Sequence, residues 1–539
     1  MTNNKDSRLS LTRRHLLAGA AATLVLPFAG RAFAEPVRGG TLVAISHPGE
    51  PNVLTSAVVQ TGQVQTISSK MFDGLVRYGE NFQLEPELAT DWVVSEDGKE
   101  IRFNLRRNVR WHDGEPFTSA DVKYSYENVW LKIHPRARAT FAAVERLETP
   151  DPLTVVFKLH NPAGVILGAL NSVELTILPR HLYEGTDVLT NPYNSKPVGT
   201  GPFKFKEWVR GDKIVLERNP DYWEAGKPYL DQIIYRVIPD ATARYAAFET
   251  DAVQLGTLSP VSIIDLERAQ ANENLHVEFR GYEWLASAIT GEFNVRKPPF
   301  NDVRVRRALA HSIDLAAFSR VTTRGIGKLG TSPVLSTQTK FYTTEGLPSY
   351  PYDRAEAERL LDEAGYPRKS DDTRFAITID WLPFGENFLR FAEYFRQALK
   401  PVGIEVTVRN QDLPQFFRRV YSDNDFDFII SHRAGFGDPQ IGIDRYFWSK
   451  AILKDVPWSN GSGYSSPEMD RLLDAAHTAP TEEERVKAYK QVQIQAQTDI
   501  PHFTLLENRQ FSISSKRLHG LTTGSNSLYD NLKDAWLEA

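Results

Sequence analysis

The sequence predicts an α/β protein built in two lobes of different construction, and three observations carry that expectation. Up to about residue 300 the chain is dominated by strand and tight-turn signals, whereas beyond Pro298-Pro299 strands alternate with amphipathic helices. The length, 539 residues, leaves room for two or three domains with their own cores.

In the first part, Asp73-Gly74, Asp97-Gly98 and Asp113-Gly114 are tight-turn dipeptides. Trp92-Val93-Val94 and Ile101–Leu105 flank Asp97-Gly98 as a hairpin, and Thr154–Leu159 follows as a strand. Three more strand signals lie at Phe203–Phe205, Lys213–Leu216 and Ile233–Ile238. In the second part Asp302 can cap a helix whose apolar positions Val305, Ala308, Leu309, Ile313 and Ala316 keep helical spacing. Asp353 opens another, with Leu360, Leu361 and Ala364 on one face, Gly365 as its stop and Pro367 beyond. Phe375–Ile379 reads as a strand, Phe388 to Leu399 as a helical stripe closed by Pro401, and Ile404–Val408 and Phe426–Ile430 as further strands. Thr481 and Glu484 match a capping box before a long helix ending near Pro501. This alternation predicts a largely parallel sheet covered by helices, and two unlike lobes predict a cleft between them.

The N-terminus is an export signal by its pattern. Arg13-Arg14 precede a short apolar run, Ala18 to Phe28, and Ala32-Phe33-Ala34 supplies a small-x-small cleavage pattern ahead of Glu35. The run is shorter than the roughly 20 residues needed to span a bilayer. Residues 1–34 are therefore expected to be a twin-arginine signal, and the mature chain to work in the periplasm. The signal carries five basic side chains and one acidic, a net +4, so the charge falls from −5 to −9 on its removal. That mildly acidic balance argues against nucleic acid and anionic membranes as partners. The absence of cysteine excludes disulfides, thiol nucleophiles, thiolate metal sites and an acylated N-terminal cysteine.

No pattern supplies catalytic machinery. Gly325–Gly330 has the letters of a dinucleotide fingerprint but follows a helix rather than a strand, so a loop is expected. The twelve histidines show no metal-ligand spacing, although His47, His432 and His502 lie in segments of interest. No serine sits in a Gly-x-Ser-x-Gly elbow. The strand ends are more informative, because ligands of open α/β sheets collect there. Trp381 follows one strand and Arg433 to Asp438 another, offering an aromatic face and charged groups; the competing readings are core packing for Trp381 and a turn for Asp438.

Several segments then form a series. Gly39-Gly40-Thr41-Leu42, Phe72-Asp73-Gly74-Leu75-Val76-Arg77-Tyr78, Trp111-His112-Asp113-Gly114 and Gly199-Thr200-Gly201-Pro202-Phe203 come first. Arg218-Asn219-Pro220-Asp221-Tyr222-Trp223, Pro299-Phe300-Asn301-Asp302-Val303-Arg304 and Gly463-Tyr464-Ser465-Ser466-Pro467 continue it. In this order the chain resembles the family 5 extracellular solute-binding proteins, the peptide/nickel/opine type that feed ABC importers. The resemblance implies a periplasmic binding protein type II-like fold of cluster C type, with two lobes, a hinged cleft and an extra α+β domain inserted in lobe one. Carried onto this chain, lobe one is 35–78, 198–292 and 509–539, the inserted domain 79–197 and lobe two 293–508.

The resemblance also implies a monomer that captures a small solute, a peptide or alternatively an opine, sugar conjugate or other organic acid, and delivers it to a membrane permease and its ATPases. No catalytic residue, metal or cofactor is expected; the rivals are a hydrolase of such solutes and a chaperone-like scaffold. In peptide-binding members an aspartate shortly before the Asp-Pro or Glu-Pro pair holds the peptide amine. Here Gly435 and Gly437 flank Phe436 before Asp438-Pro439, and Arg433 adds positive charge, which leans toward an anionic ligand. The expected ligand contacts are His47, Trp284, Trp381, Arg433, Phe436, Asp438, Trp458 and Asn460, with the four aromatic side chains excluding water from the cleft.

Overall fold

The structure is a computed structural model, and it describes residues 35–384 and 386–538. The twin-arginine signal expected over residues 1–34 lies outside the described residues. Strand β1 (Thr41–Ile45) and helix α1 (Gly62–Ser68) come first. Strands β2 (Ala89–Val94), β3 (Glu100–Leu105), β4 (Val144–Asp151) and β5 (Thr154–Leu159) follow, then β6 (Phe203–Val209), β7 (Lys213–Arg218) and β8 (Gln232–Arg236). Next are β9 (Leu255–Gly256), β10 (Leu275–Glu278) and β11 (Ser287–Phe293), and helices α2 (Val303–His311) and α3 (Leu315–Thr323). Strand β12 (Lys328–Leu329), α4 (Arg354–Glu363), β13 (Phe375–Trp381), α5 (Glu386–Leu399) and β14 (Ile404–Arg409) continue the chain. It ends with β15 (Phe428–Ala434), α6 (Pro439–Gly442), α7 (Glu482–Asp499), β16 (His502–Glu507) and β17 (Ser512–Ser515).

Three larger sheets organise these strands. A seven-stranded sheet runs β10-β17-β9-β1-β8-β7-β6, a six-stranded sheet β12-β16-β11-β15-β13-β14, and a four-stranded antiparallel sheet β2-β3-β5-β4. The second is less parallel than the sequence suggests. Only the ladders of β13 with β14 and β15 are parallel, because β11, which arrives from the seven-stranded sheet, runs against both β15 and β16, and β12 runs against β16. The chain changes sheet twice, between β10 and β11 and between β16 and β17, and the two passages meet where the Asn508 amide donates to the Ser287 carbonyl. Since β11 already pairs in the six-stranded sheet, the first change of sheet falls before Ser287 rather than at 292.

Local chemistry explains the helix starts. Asp302, Asp353 and Thr481 each accept a backbone N–H of the first turn of α2, α4 and α7. The single helix expected from Asp302 to Ala316 is two: α2 stops at His311 and Asp314 caps α3 through the Ala317 amide. Gly325–Gly330 is a connection holding the two-residue β12, with no strand before it to make a nucleotide-binding turn. One face of the six-stranded sheet packs Phe293, Phe428, Ile430 and Phe503 beneath α2, α3 and α5 in a large apolar cluster. Its other face is polar, carrying Glu292, Ser431, Arg433 and His502.

Candidate functional site

The site is built where β15 ends. Gly435 donates to Leu285 and Ala286 carbonyls and Gly437 to the Trp284 carbonyl, which ties this exit to the passage between the sheets. Phe436 has φ 50° and Gly437 φ 74°, a left-handed kink that turns the Phe436 ring onto Trp284, centroids 5.4 Å apart. A Cβ on Gly437 would lie 2.7 Å from the Trp284 ring, so the close approach requires glycine. Trp284 is fully buried and meets Tyr529 edge-on at 5.9 Å, while Arg136, beside the four-stranded sheet, stacks on Phe436 at 4.1 Å.

Arg136 also forms a two-pronged ion pair with buried Glu174, at 2.7 and 2.6 Å. Burial alone would raise the Glu174 pKa, but the charges of Arg136 and His134 hold it below the ordinary carboxylate value. Arg445 approaches the same Phe436 ring from the second lobe, 6.0 Å away. Its Nη2 donates to Tyr446 at 3.1 Å, its buried Nε has no partner, and among the described residues no carboxylate lies within ion-pair distance of it. Two guanidinium groups and one carboxylate leave a surplus positive charge. His432 stands close by; burial, with Arg445 and Arg433, depresses its pKa to about 4, so it is neutral.

Beside this aromatic junction lies a small chamber of about 80 Å³ with walls from both lobes. Tyr78, Gly164 and Gly168 line one side, and Gln338, Lys340 and Asp438 the other. Lys340 is paired with Glu482 and Asp438 with Arg485, and the Gln338 carboxamide donates to the Gly435 carbonyl at 3.3 Å and accepts the Leu335 amide at 3.4 Å; the Tyr78 hydroxyl also borders the chamber. Gln338 fills the space in front of Gly435: a Cβ there would lie 2.8 Å from its amide.

The structure sorts the expected contacts. Trp284, Phe436 and Asp438 come together. Asp438, however, accepts the Gln440 amide at the start of α6 and both arms of Arg485, at 2.7 and 2.6 Å, so it is a cap and ion-pair partner. Arg433 points the other way. It belongs to β15 rather than following it, and alternation puts it on the polar face with Ser431, 2% exposed and donating to Thr504 at 2.9 Å. There burial lowers its pKa to about 10, and it borders a closed space shared with Phe447, His502 and Thr504. Asn460 is also engaged: its Nδ2 donates to the Trp448 and Tyr464 carbonyls, and its Oδ1 accepts from Ser462 and the Tyr464 amide.

Trp381 and Trp458 form a separate rim on lobe two. Trp381 is the last residue of β13 and donates to Asn410 at 3.1 Å, while Trp458 packs against Phe417 and Phe384. His47 lies past β1 on lobe one, its pKa lowered to about 4 by burial and the Arg244 charge. Arg445, Tyr78 and Gln338 escaped the sequence reading. Only Arg445 carried a signal there, as a cation shortly after the Asp438-Pro439 turn.

The β15 edge completes the geometry. Its parallel ladder with β13 ends at the Trp381–Ile430 pair, yet the antiparallel ladder with β11 continues to Ala434. Pro383, which has no N–H, follows two residues after Trp381, and among the described residues His432 to Ala434 carry no strand on that side.

Known proteins share this fold. The oligopeptide-binding protein AppA of Bacillus subtilis is 26% identical over 519 residues, covering 93% of this chain and 92% of AppA. Its structure with a nonapeptide matches with a TM-score of 0.78 at 25% identity, over 94% of this chain and 100% of that one. DppA of Helicobacter pylori with the peptide STSA has a TM-score of 0.76, and AgaA of A. tumefaciens R10 with agropinic acid 0.75. Both are 26% identical and cover 93% of this chain and 99% of their own. The model of the bacterial extracellular solute-binding proteins, family 5, matches residues 83–452, and this chain belongs to that family.

Proposed function

We propose that this protein is the periplasmic receptor of an ABC importer, closing two lobes around a peptide-like solute with a free carboxylate and passing it unaltered to the membrane permease. The observation that carries this reading is the junction at Phe436, where cations from both lobes meet one ring and only one carboxylate balances them. A ligand carboxylate on Arg445 supplies the missing charge and joins the lobes, which favours closure. The open edge of β15 from His432 to Ala434 suits a short extended peptide, whose main chain would add as a strand. Trp381 then borders that edge and Trp284 with Phe436 excludes water. AppA and DppA with bound peptides support the peptide; AgaA with agropinic acid supports the second reading, an acidic opine-like solute, which Arg445 would also serve.

The anionic preference thus rests on Arg445 and not on Arg433. In the proposed division, lobe one holds the seven-stranded sheet, the inserted domain the four-stranded sheet within about 79–197, and lobe two the six-stranded sheet. No step of binding needs a nucleophile or a proton transfer. The test is calorimetric titration of the mature protein with di- to tetrapeptides, each as free acid and C-terminal amide, beside agropinic acid. Free acids should bind at least about tenfold tighter than their amides, with ligand recovered unchanged by mass spectrometry. Equal binding of acid and amide would remove the Arg445 contact, and a converted product would overturn transport.

A further inference from the structure

The seven-stranded sheet packs apolar side chains on both faces, but one face is only partly covered. Ile45, Ile513 and Val277 point into an apolar cluster with Tyr245 and Phe248. The opposite row, read across the register, is Tyr235, Ala44, Leu255, Ser514 and His276. Ala44, Tyr235 and Leu255 of that row, with Leu42 and Ile233, pack into the main apolar core, while Ser514 and His276 lie beyond it. Between that face, α1 and the segment 518–532 lies an open-mouthed cavity of about 350 Å³, and every residue lining it falls outside 287–508.

The cavity floor is polar. Lys70, two residues past α1, is 2% exposed and makes one hydrogen bond, to the Ser69 hydroxyl at 2.9 Å. The buried Tyr235 hydroxyl has no partner. Half-buried Asp530 comes from the C-terminal segment. It and Lys70 influence each other's charge, yet no ion pair within 4 Å joins them. The remaining charges sit at the rim, where Glu278 pairs with Arg280 at 2.6 Å, near His276, and Lys516 is exposed to water. An ammonium and a carboxylate walled into one cavity without touching are costly unless something bridges them. Burial brings Lys70 down to about 7, the direction expected of a cation lacking its counter-ion.

We propose that this first-lobe cavity is a second binding site, for a small zwitterion whose carboxylate meets Lys70 and the Tyr235 hydroxyl and whose ammonium meets Asp530. It is independent of the chamber between the lobes. The test is titration of the full mature protein with β-alanine, 4-aminobutyrate and 6-aminohexanoate, beside butyrate and butylammonium. One chain length should bind saturably and at least about tenfold tighter than either singly charged probe. Lys70→Met and Asp530→Asn should each lose that binding tenfold or more, while Arg445→Met keeps it. Lys70→Met should also melt no lower than the parent, since it removes a buried unpaired charge. Binding by none of the amino acids, equal binding of butyrate, or retention by both variants would overturn the proposal.

Discussion

Asp438 and Arg445 lie on one short stretch of lobe two and have opposite fates. Both oxygens of Asp438 are held by Arg485, whereas the Arg445 guanidinium has two ring faces, one hydroxyl and no carboxylate. The difference teaches how to read a polar junction: a saturated pair belongs to the fold, and a cation left short of its partner at a lobe boundary is where a ligand contact is to be tested. Among neutral amides the contrast is one of degree: Asn460 is engaged four times, whereas Gln338, at the chamber wall, has two longer bonds, to the Gly435 carbonyl and from the Leu335 amide.

The hardest break of this comparison is Asp438→Asn. It strands the buried Arg485 guanidinium and should cost about 3–5 kcal/mol in urea unfolding. Arg485→Met should cost similarly, and the double variant less than the sum of the two. Additive losses would show that the pair does not act as a unit.

The next effect is acid sensitivity, of opposite origin in two kinds of group. His134 lies beside Glu174, and its pKa is lowered from 6.5 to about 4 by burial, so the unfolded chain takes up its proton first as pH falls. Stability therefore declines between about pH 6.5 and 4, by on the order of 3 kcal/mol at the limit of the shift. Asp438 is held low by Arg485 despite burial, so its contribution persists through that window and is lost only in stronger acid. Urea unfolding at pH 7 and pH 5 should show the loss, and His134→Asn should remove about a quarter of it, since His47, His112 and His432 are depressed alike; an unchanged slope would exclude His134 from the effect.

The third effect is confined to binding. Arg445→Met should weaken a free-acid peptide about tenfold or more, near 1.4 kcal/mol, and erase the preference for acid over amide, with little change in melting. A collapsed melting transition would instead move Arg445 to the side of Asp438.

What the sequence disclosed follows the range of the forces involved. Caps at Asp302, Asp353 and Thr481 are local hydrogen bonds and were legible, as was the hairpin about Asp97-Gly98. The break at Ser312–Asp314 was equally local, since Asp314 is a second cap, but helical spacing of Ile313 and Ala316 across it hid the signal. Arg433 was misjudged because the strand end was placed too early, and alternation then decided its face. Gln338 and Tyr78 were invisible because only the fold brings the 338 and 78 segments to Gly435 and Gly168.

The smallest effect tests how far the site extends toward the Trp381 rim. Trp381 pairs with Ile430 at the last rung before the open edge of β15, so His432 and Trp381 lie on the same face of the sheet. A dipeptide anchored at Arg445 would stop short of it, whereas a tetrapeptide extended along the edge would lay a side chain against the indole. Trp381→Ala should therefore weaken tetrapeptides about threefold to tenfold, leave dipeptides nearly unchanged and cost little in melting, because the indole is only partly buried and makes one hydrogen bond. Equal losses for both lengths would mean that Trp381 acts by shaping lobe two, and no loss for either would end the solute's path at Phe436.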